Sequence, residues 1–367
     1  MTVSQPARAP HRVLIIDDSA VARQAVARSV RDAGMVVAGL ARNGRDGLDQ
    51  IAEAAPDLVV LDLEMPEMDG MEFLRHLRRR DRRLPVVVFS ALSAQGAEAT
   101  LAALAAGATA YALKPTSLAG TASGDVNSEL VPVINSVLQR DLVTQAPAPA
   151  APRPRRVSGR PDVVVIAVST GGPNALAAVI AELPANLSVP VMIVQHMPAT
   201  FTSLLAQRLD KISALSVLEG HQGQPVDAGH VYVAPGGRHM GVERRDSAVR
   251  IDIHDGPREN SCRPAADVLF RTAADAYGSG VLGVVLTGMG QDGLAGSHAI
   301  VAAGGTVVVQ DPATAVVGTM PDSVARAGLA DAVVPLDGIA AEIVTRTGGA
   351  RRNACVSRMT TTGLSRR

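Results

Sequence analysis

PDVVVIAVSTGGP, residues 161–173, is the stretch from which the fold of the second half of the chain can be read. Val163 to Val168 is an unbroken apolar, β-branched run, the signature of a strand buried on both faces of a parallel sheet. It halts at Ser169-Thr170-Gly171-Gly172, and NALAAVIAEL, residues 174–183, then takes up helical periodicity. A serine at such a junction sits at the carboxyl end of a strand, where open α/β sheets place their ligands. The glycines let backbone N–H groups approach an anionic oxygen, and the helix N-terminus favours negative charge there. Taken alone, such a segment is more often a Ser or Thr helix N-cap.

The same pattern recurs twice downstream. SVPVMIVQ, residues 188–195, runs into His196, and VLGVVL, residues 281–286, runs into Thr287-Gly288-Met289-Gly290-Gln291-Asp292-Gly293. Ser169, His196 and Asp292 therefore each follow a buried strand, and together they are the set that nucleophilic acyl transfer requires. A serine hydroxyl needs a base to take its proton, and the base needs a carboxylate to fix its tautomer and stabilise the imidazolium. The order Ser, His, Asp and the absence of G-x-S-x-G exclude the α/β-hydrolase pattern. His221, His230, His239, His254 and His298 lie in the same half, with His239 the rival base and Asp311 the rival carboxylate. A second reading stays open. Residues 288–293 are a literal G-x-G-x-x-G after a strand, and Asp311 ends the next strand 18 residues on, which is nearly a dinucleotide fingerprint. Against it, Asp292 would place a carboxylate in a pyrophosphate cradle, and only 74 residues remain to complete a cofactor domain.

The first half alternates five strands with helices: Arg12–Asp17, Met35–Ala41, Asp57–Asp62, Pro85–Ser90 and Thr109–Leu113. Strict alternation predicts a doubly wound parallel sheet. Asp17 and Asp18, Asp62, Ser90 and Lys114 all fall at carboxyl ends and can converge on one edge. Three carboxylates gathered there repel unless a hard cation such as Mg²⁺ sits among them. A lysine and a hydroxyl beside them suit a phosphoryl group.

Composition sets the remaining bounds. The chain has 367 residues, enough for about two domains; 47% are hydrophobic but only 2% aromatic, so the cores are aliphatic. Formal net charge is zero, with no basic block before the C-terminal tail, which argues against a nucleic-acid partner. Cys262 and Cys355 have no metal-ligand spacing and fit a reducing compartment. No stretch is apolar enough to insert in a membrane and no secretory signal core is present, so a cytoplasmic location is expected. The expected division is 1–143 and 161–347, joined by the Pro/Ala/Arg-rich linker 144–160 and followed by a basic, disordered tail, 348–367.

The first half resembles a response-regulator receiver domain. The resemblance rests on Asp17-Asp18, Asp62 in DLVVLDLEMPEMDG, Ser90, Tyr111 and Lys114-Pro115. It implies a flavodoxin-like five-stranded fold and phosphorylation of Asp62 by a chemotaxis histidine kinase. Asp17, Asp18 and Asp62 would hold Mg²⁺, Ser90 and Tyr111 would be the switch pair, and Lys114 would contact the phosphoryl group. The second half resembles the catalytic domain of the chemotaxis protein-glutamate methylesterases, the CheB family. That resemblance rests on AVSTGGPNAL, QHMPATFT, VYVAPGGRHM, RPAADVLF and VVLTGMGQDG. It implies an α/β doubly wound methylesterase domain without a cofactor. Ser169 would be the nucleophile, His196 the base and Asp292 its partner, with an oxyanion hole from the backbone N–H groups of Thr170 and Met289. The implied substrates are glutamyl methyl esters and glutamines on the cytoplasmic domains of methyl-accepting chemoreceptors. Two departures bear on the cleft wall: Ala265-Ala266 stands where the family usually reads Ser-Val, and Thr319-Met320-Pro321 replaces Gly-Met-Pro. The alternative is a response regulator whose output domain binds a nucleotide or partner without hydrolysis.

Overall fold

The computed structural model describes residues 9–115, 124–138 and 159–348. The expected linker, all but its last two residues, and the expected tail beyond Gly348 lie outside them.

The first half builds one parallel sheet from β1 (Arg12–Ile16), β2 (Val36–Ala41), β3 (Leu58–Leu61), β4 (Val86–Ser90) and β5 (Ala110–Leu113), in the order β2-β1-β3-β4-β5. The connecting helices are α1 (Ala20–Asp32), α2 (Gly44–Ala54), α3 (Gly70–Arg80), α4 (Ala94–Ala105) and α5 (Gly124–Leu138). Short polar side chains start them: Ser19, Asn43, Asp69 and Ser93 each accept a backbone N–H from the first turn of α1 to α4. Such a cap contributes about 1 kcal/mol and fixes where the chain leaves the sheet edge. The strand order reverses between β1 and β3, so Asp17 and Asp62 flank the crevice of the switch point.

The second half builds a seven-stranded sheet, every pair parallel, in the order β14-β13-β12-β6-β7-β9-β8. Its strands are β6 (Val163–Val168), β7 (Val191–Gln195), β8 (Ser216–Glu219), β9 (His230–Val233), β12 (Val281–Val285), β13 (Thr306–Gln310) and β14 (Ala332–Val334). Between β9 and β12 a separate antiparallel hairpin forms from β10 (His239–Arg245) and β11 (Ala248–His254). The helices are α6 (Gly172–Glu182), α7 (Ala199–Asp210), α8 (Ala266–Tyr277), α9 (Leu294–Ala302), α10 (Thr319–Arg326) and α11 (Ile339–Thr347). Strands β6, β7, β12 and β13 are buried along their whole length, as continuous Val/Ile runs require. The chain leaves central β6 toward β7 and later returns on its other side as β12. The crevice therefore opens between the ends of β6 and β12, where Ser169 and the 287–293 loop emerge.

Two boundaries differ from the sequence reading by more than one residue. Strand β7 starts at Val191 rather than Ser188, because Pro190 has no N–H to give the ladder. Helix α6 starts at Gly172 rather than Asn174, with Pro173 in the first turn where its missing N–H costs nothing.

The two halves pack together. Helix α4 lies on α6 and α7, and the Tyr111 ring stacks on Phe201 at 5.2 Å between centroids and 11° between planes. Arg208 Nη1 donates to the Leu101 carbonyl at 2.6 Å, and Asn174 Nδ2 to that of Ala108 at 3.3 Å. Among the described residues, no helix is long and apolar enough to cross a membrane.

Candidate functional sites at two sheet edges

At the carboxyl edge of the second sheet three strand ends are tied to one another by their backbones. Ser169 N donates to the Thr287 carbonyl (2.9 Å), and His196 N to that of Val168 (3.3 Å). The Thr287 hydroxyl, itself buried, donates to the Thr170 carbonyl at 2.8 Å. Gly288 packs so closely that a Cβ there would lie 2.9 Å from Ser169 Cβ and would strike Met320 Sδ.

His196 and Asp292 are in direct contact, Nε2 to Oδ2 at 2.7 Å. Asp292 is 1% exposed and accepts further bonds from the Ala266 and Asp267 amides (2.6 and 3.0 Å), Gly293 N (3.1 Å) and Asn260 Nδ2 (3.1 Å). Burial alone would raise its pKa, but the His196 contact and these donors outweigh it and hold the carboxyl below the usual range. Burial pulls the other way on His196; the hydrogen bond to Asp292 overcomes it, with the Cys262 contact adding, and the imidazole is pushed up to about 9. His196 Nδ1 faces Cys262 Sγ at 3.5 Å. Among the described residues, no hydrogen bond joins the Ser169 hydroxyl to His196. Ser169, Thr170, His196 and Cys262 do line one cavity of about 480 Å³.

The rivals are occupied elsewhere. His239 Nε2 lies 2.8 Å from the Pro257 carbonyl and its Nδ1 accepts from Ala265 N (3.2 Å), while Asp311 caps a short 3-10 turn by accepting from Ala313 N. The G-x-G-x-x-G segment has no free phosphate cradle in its glycines. Gly288 N donates to Val317 O, Gly290 N to Thr319 Oγ1, and Gly293 N to Asp267 and Asp292.

Several members of this site carry no signal of their own in the sequence. Asp267, beside Asp292, is raised by burial and by its charged neighbour, and it accepts from the Gly293 and Gly296 amides and from Asn260. Asp267 and Cys262 lie in or beside RPAADVLF, so that block was the available clue. Gln195 closes β7 as the residue before His196, an unremarked polar end to an apolar strand.

At the edge of the first sheet, Lys114 Nζ bridges Asp17 Oδ2 (2.9 Å) and Asp62 Oδ2 (2.8 Å). Asp17, Asp18 and Asp62 can bring one oxygen each within 4.8 Å of one another, an all-oxygen set suited to a hard divalent cation. Burial raises the Asp62 pKa beyond what Lys114 lowers; Lys114 is held above its usual value because its two carboxylates outweigh its own burial. Ser90 lines this second cavity, but its hydroxyl donates toward the Gly96 carbonyl at 3.2 Å. Tyr111 is not among the residues lining it. Its ring lies on Phe201, and with Leu104, Ala110, Ala112, Leu113 and Glu129 it walls the cavity above Ser169.

The two folds and their edges define a class: a receiver domain covalently joined to an α/β domain bearing a histidine–carboxylate pair beside a serine. The comparisons agree. Residues 13–120 match the response regulator receiver domain, and residues 164–343 match the CheB methylesterase domain. A protein-glutamate methylesterase/protein-glutamine glutaminase from Nocardioides is 44% identical over 348 residues, covering 91% of this chain and 95% of the relative. A second, from Caulobacter vibrioides, is 43% identical over 342 residues, 91% and 98% of the two chains. The crystal structure of the Thermotoga maritima CheB methylesterase catalytic domain superposes with a TM-score of 0.50 at 42% identity, covering 52% of this chain and 99% of that one. The chain belongs to the CheB family of protein-glutamate methylesterases/protein-glutamine glutaminases.

Proposed function

We propose that the protein hydrolyses glutamyl methyl esters on the cytoplasmic domains of chemoreceptors, releasing methanol, and deamidates glutamines at such sites by the same chemistry. Phosphorylation of Asp62 by a chemotaxis histidine kinase is the proposed control. The observation that carries the reading is that His196, which lines one cavity with Ser169, is held at 2.7 Å by the buried Asp292.

The base has one usable atom. Asp292 occupies Nε2, so the lone pair that takes the Ser169 proton is on Nδ1, and Ser169 must displace the Cys262 thiol from it. Catalytic hydrogen bonds in resting enzymes are often unmade until substrate arrives. Ser169 Oγ then attacks the ester carbonyl, and the Thr170 and Met289 N–H groups receive the developing oxyanion. Methanol departs with the proton from Nδ1. Water, deprotonated at the same nitrogen, releases glutamate and returns Ser169. With glutamine as substrate, ammonia departs instead.

In the receiver, Asp17, Asp18 and Asp62 would hold Mg²⁺, which supplies charge neutralisation during phosphoryl transfer. Lys114 already bridges two of these carboxylates and is placed to meet the phosphoryl oxygens. Tyr111 walls the catalytic cavity and is the proposed partner of Ser90 in the switch. Movement of its ring toward the phosphorylated edge would open that wall.

The test is methanol release from methylated receptor membranes, with and without a small phosphoryl donor. Turnover should rise with the donor and should fall by roughly 10³- to 10⁴-fold or more in Ser169→Ala and Asp292→Asn. His239→Ala and Asp311→Ala should lose far less. A Ser169→Ala protein that kept a tenth of the turnover would overturn the mechanism.

A further inference from the structure

Gln195 is the last residue of β7 and 1% exposed. Its Nε2 donates to the Ser169 carbonyl at 3.0 Å and to the His196 carbonyl at 3.3 Å, so one amide clasps the residues proposed as nucleophile and base. Both facing atoms are carbonyl oxygens, which fixes the amide's orientation. Its Oε1 is buried with no hydrogen-bond partner. An orphaned buried acceptor costs about 1–3 kcal/mol, and an apolar side chain of similar length would avoid that. The fold also makes room for this amide, because a Cβ on Gly172 would collide with Oε1.

The peptide between Ser169 and Thr170 is planar and trans, so its C=O and N–H point in opposite directions. The Ser169 carbonyl is held by Gln195 Nε2 and by Gly172 N at 2.8 Å. Fixing that carbonyl aims the Thr170 N–H. The same device recurs across the crevice. The Gly288 carbonyl accepts from Met320 N (3.1 Å) and from Thr319 Oγ1 (3.1 Å), which aims the Met289 N–H. Among the described residues, neither the Thr170 nor the Met289 N–H has an acceptor. Thr319 is one of this chain's departures from its family's usual sequence, so one of the two clamps uses a side chain that a glycine cannot supply.

We infer that Gln195 and Thr319 are positioning residues that aim the two oxyanion-binding N–H groups; this rests on the Ser169 hydrolytic reading. Gln195→Met keeps length and shape while removing the donor and the orphaned acceptor. In the full chain with a phosphoryl donor, its kcat should fall roughly 10- to 100-fold, less than loss of an oxyanion donor itself, with KM nearly unchanged. The inhibition constant of a small alkylboronic acid, whose adduct on serine places an oxygen at the oxyanion position, should rise by the same factor. The melting temperature should hold or increase. Thr319→Val should show a smaller loss of the same kind, and Thr319→Ser should restore it. Full kcat in Gln195→Met, or a kcat loss that follows a lowered melting temperature with boronate affinity intact, would overturn the inference. If Ser169→Ala is inactive while Gln195→Met is fully active, the positioning role alone fails. If Ser169→Ala turns over, the hydrolytic reading fails first.

Discussion

His196 is asked to be stable and reactive in opposite protonation states. Its folded pKa is raised to about 9 from an ordinary 6.5 because the Asp292 bond outweighs burial. A raised folded pKa contributes stability fully present below the unfolded value and lost as pH climbs through the folded one. The catalytic base, however, must be neutral. Between about pH 6.5 and 9 the protein should therefore lose denaturation free energy while its turnover, corrected for spontaneous ester hydrolysis, rises. Urea melts and initial rates across that window check both signs. In Asp292→Asn the stability slope should flatten, since the imidazole loses the partner that held its proton. His196 could be read as the candidate base from its place after VMIVQ. That its Nε2 is taken by Asp292 and its Nδ1 faces Cys262 could not, because those partners arrive from 96 and 66 residues away.

At the scale of elements, the buried strands were legible because four to six consecutive β-branched or aliphatic residues leave little alternative to a core parallel strand. The β10–β11 hairpin was not anticipated. HMGVERR and AVRIDIH mix charges into their alternation, and their pairing depends on a turn at Asp246, which adopts a φ of 54°. The segment 259–267, which delivers Cys262 and the amides that hold Asp292, offered only the RPAADVLF block as a clue, with no sign of what it would hold. The 287–293 loop was legible as a glycine-rich turn but open between two chemistries. Gly288 lies against Ser169 rather than against a pyrophosphate, while Gly290 and Gly293 take the left-handed backbone of the turn, with φ of 92° and 94°. Gly288→Ala should accordingly cut esterase turnover by about 10²-fold or more, on the scale of a displaced reacting group, with a melting-temperature loss of only a few degrees. Methanol release beside a thermal melt distinguishes this from global unfolding.

For the whole molecule, the receiver walls the cavity over Ser169, and few polar contacts pin it there. The segment 144–160 spans up to about 60 Å if extended, so docking is intramolecular, at an effective concentration on the order of mM. An interface with an intrinsic dissociation constant of about 10 μM would then be closed roughly 99% of the time. A weakening of about 3 kcal/mol would leave it mostly open. Arg208→Ala removes the bond to Leu101 from the catalytic side of that interface. It should raise the basal esterase rate of the unphosphorylated chain several-fold and leave a fragment lacking residues 1–143 unchanged. That fragment should itself outpace the intact unphosphorylated chain, which comparing the four rates would establish.

The face-to-face stack of Tyr111 on Phe201 makes a residue of the receiver part of the catalytic wall, and linkage runs both ways through such a contact. If phosphorylation of Asp62 lifts the receiver as proposed, a molecule that fills the cavity and excludes Tyr111 would be coupled to Asp62 by an equal and reciprocal free energy. On the proposed reading, a receptor segment seated over Ser169 would then also be an effector of the receiver. It would favour the phosphorylation-ready arrangement of a domain that it does not touch at its phosphoryl site. The enzyme would thus answer to its substrate as well as to its kinase, and a cell rich in methylated receptors would hold more of it primed.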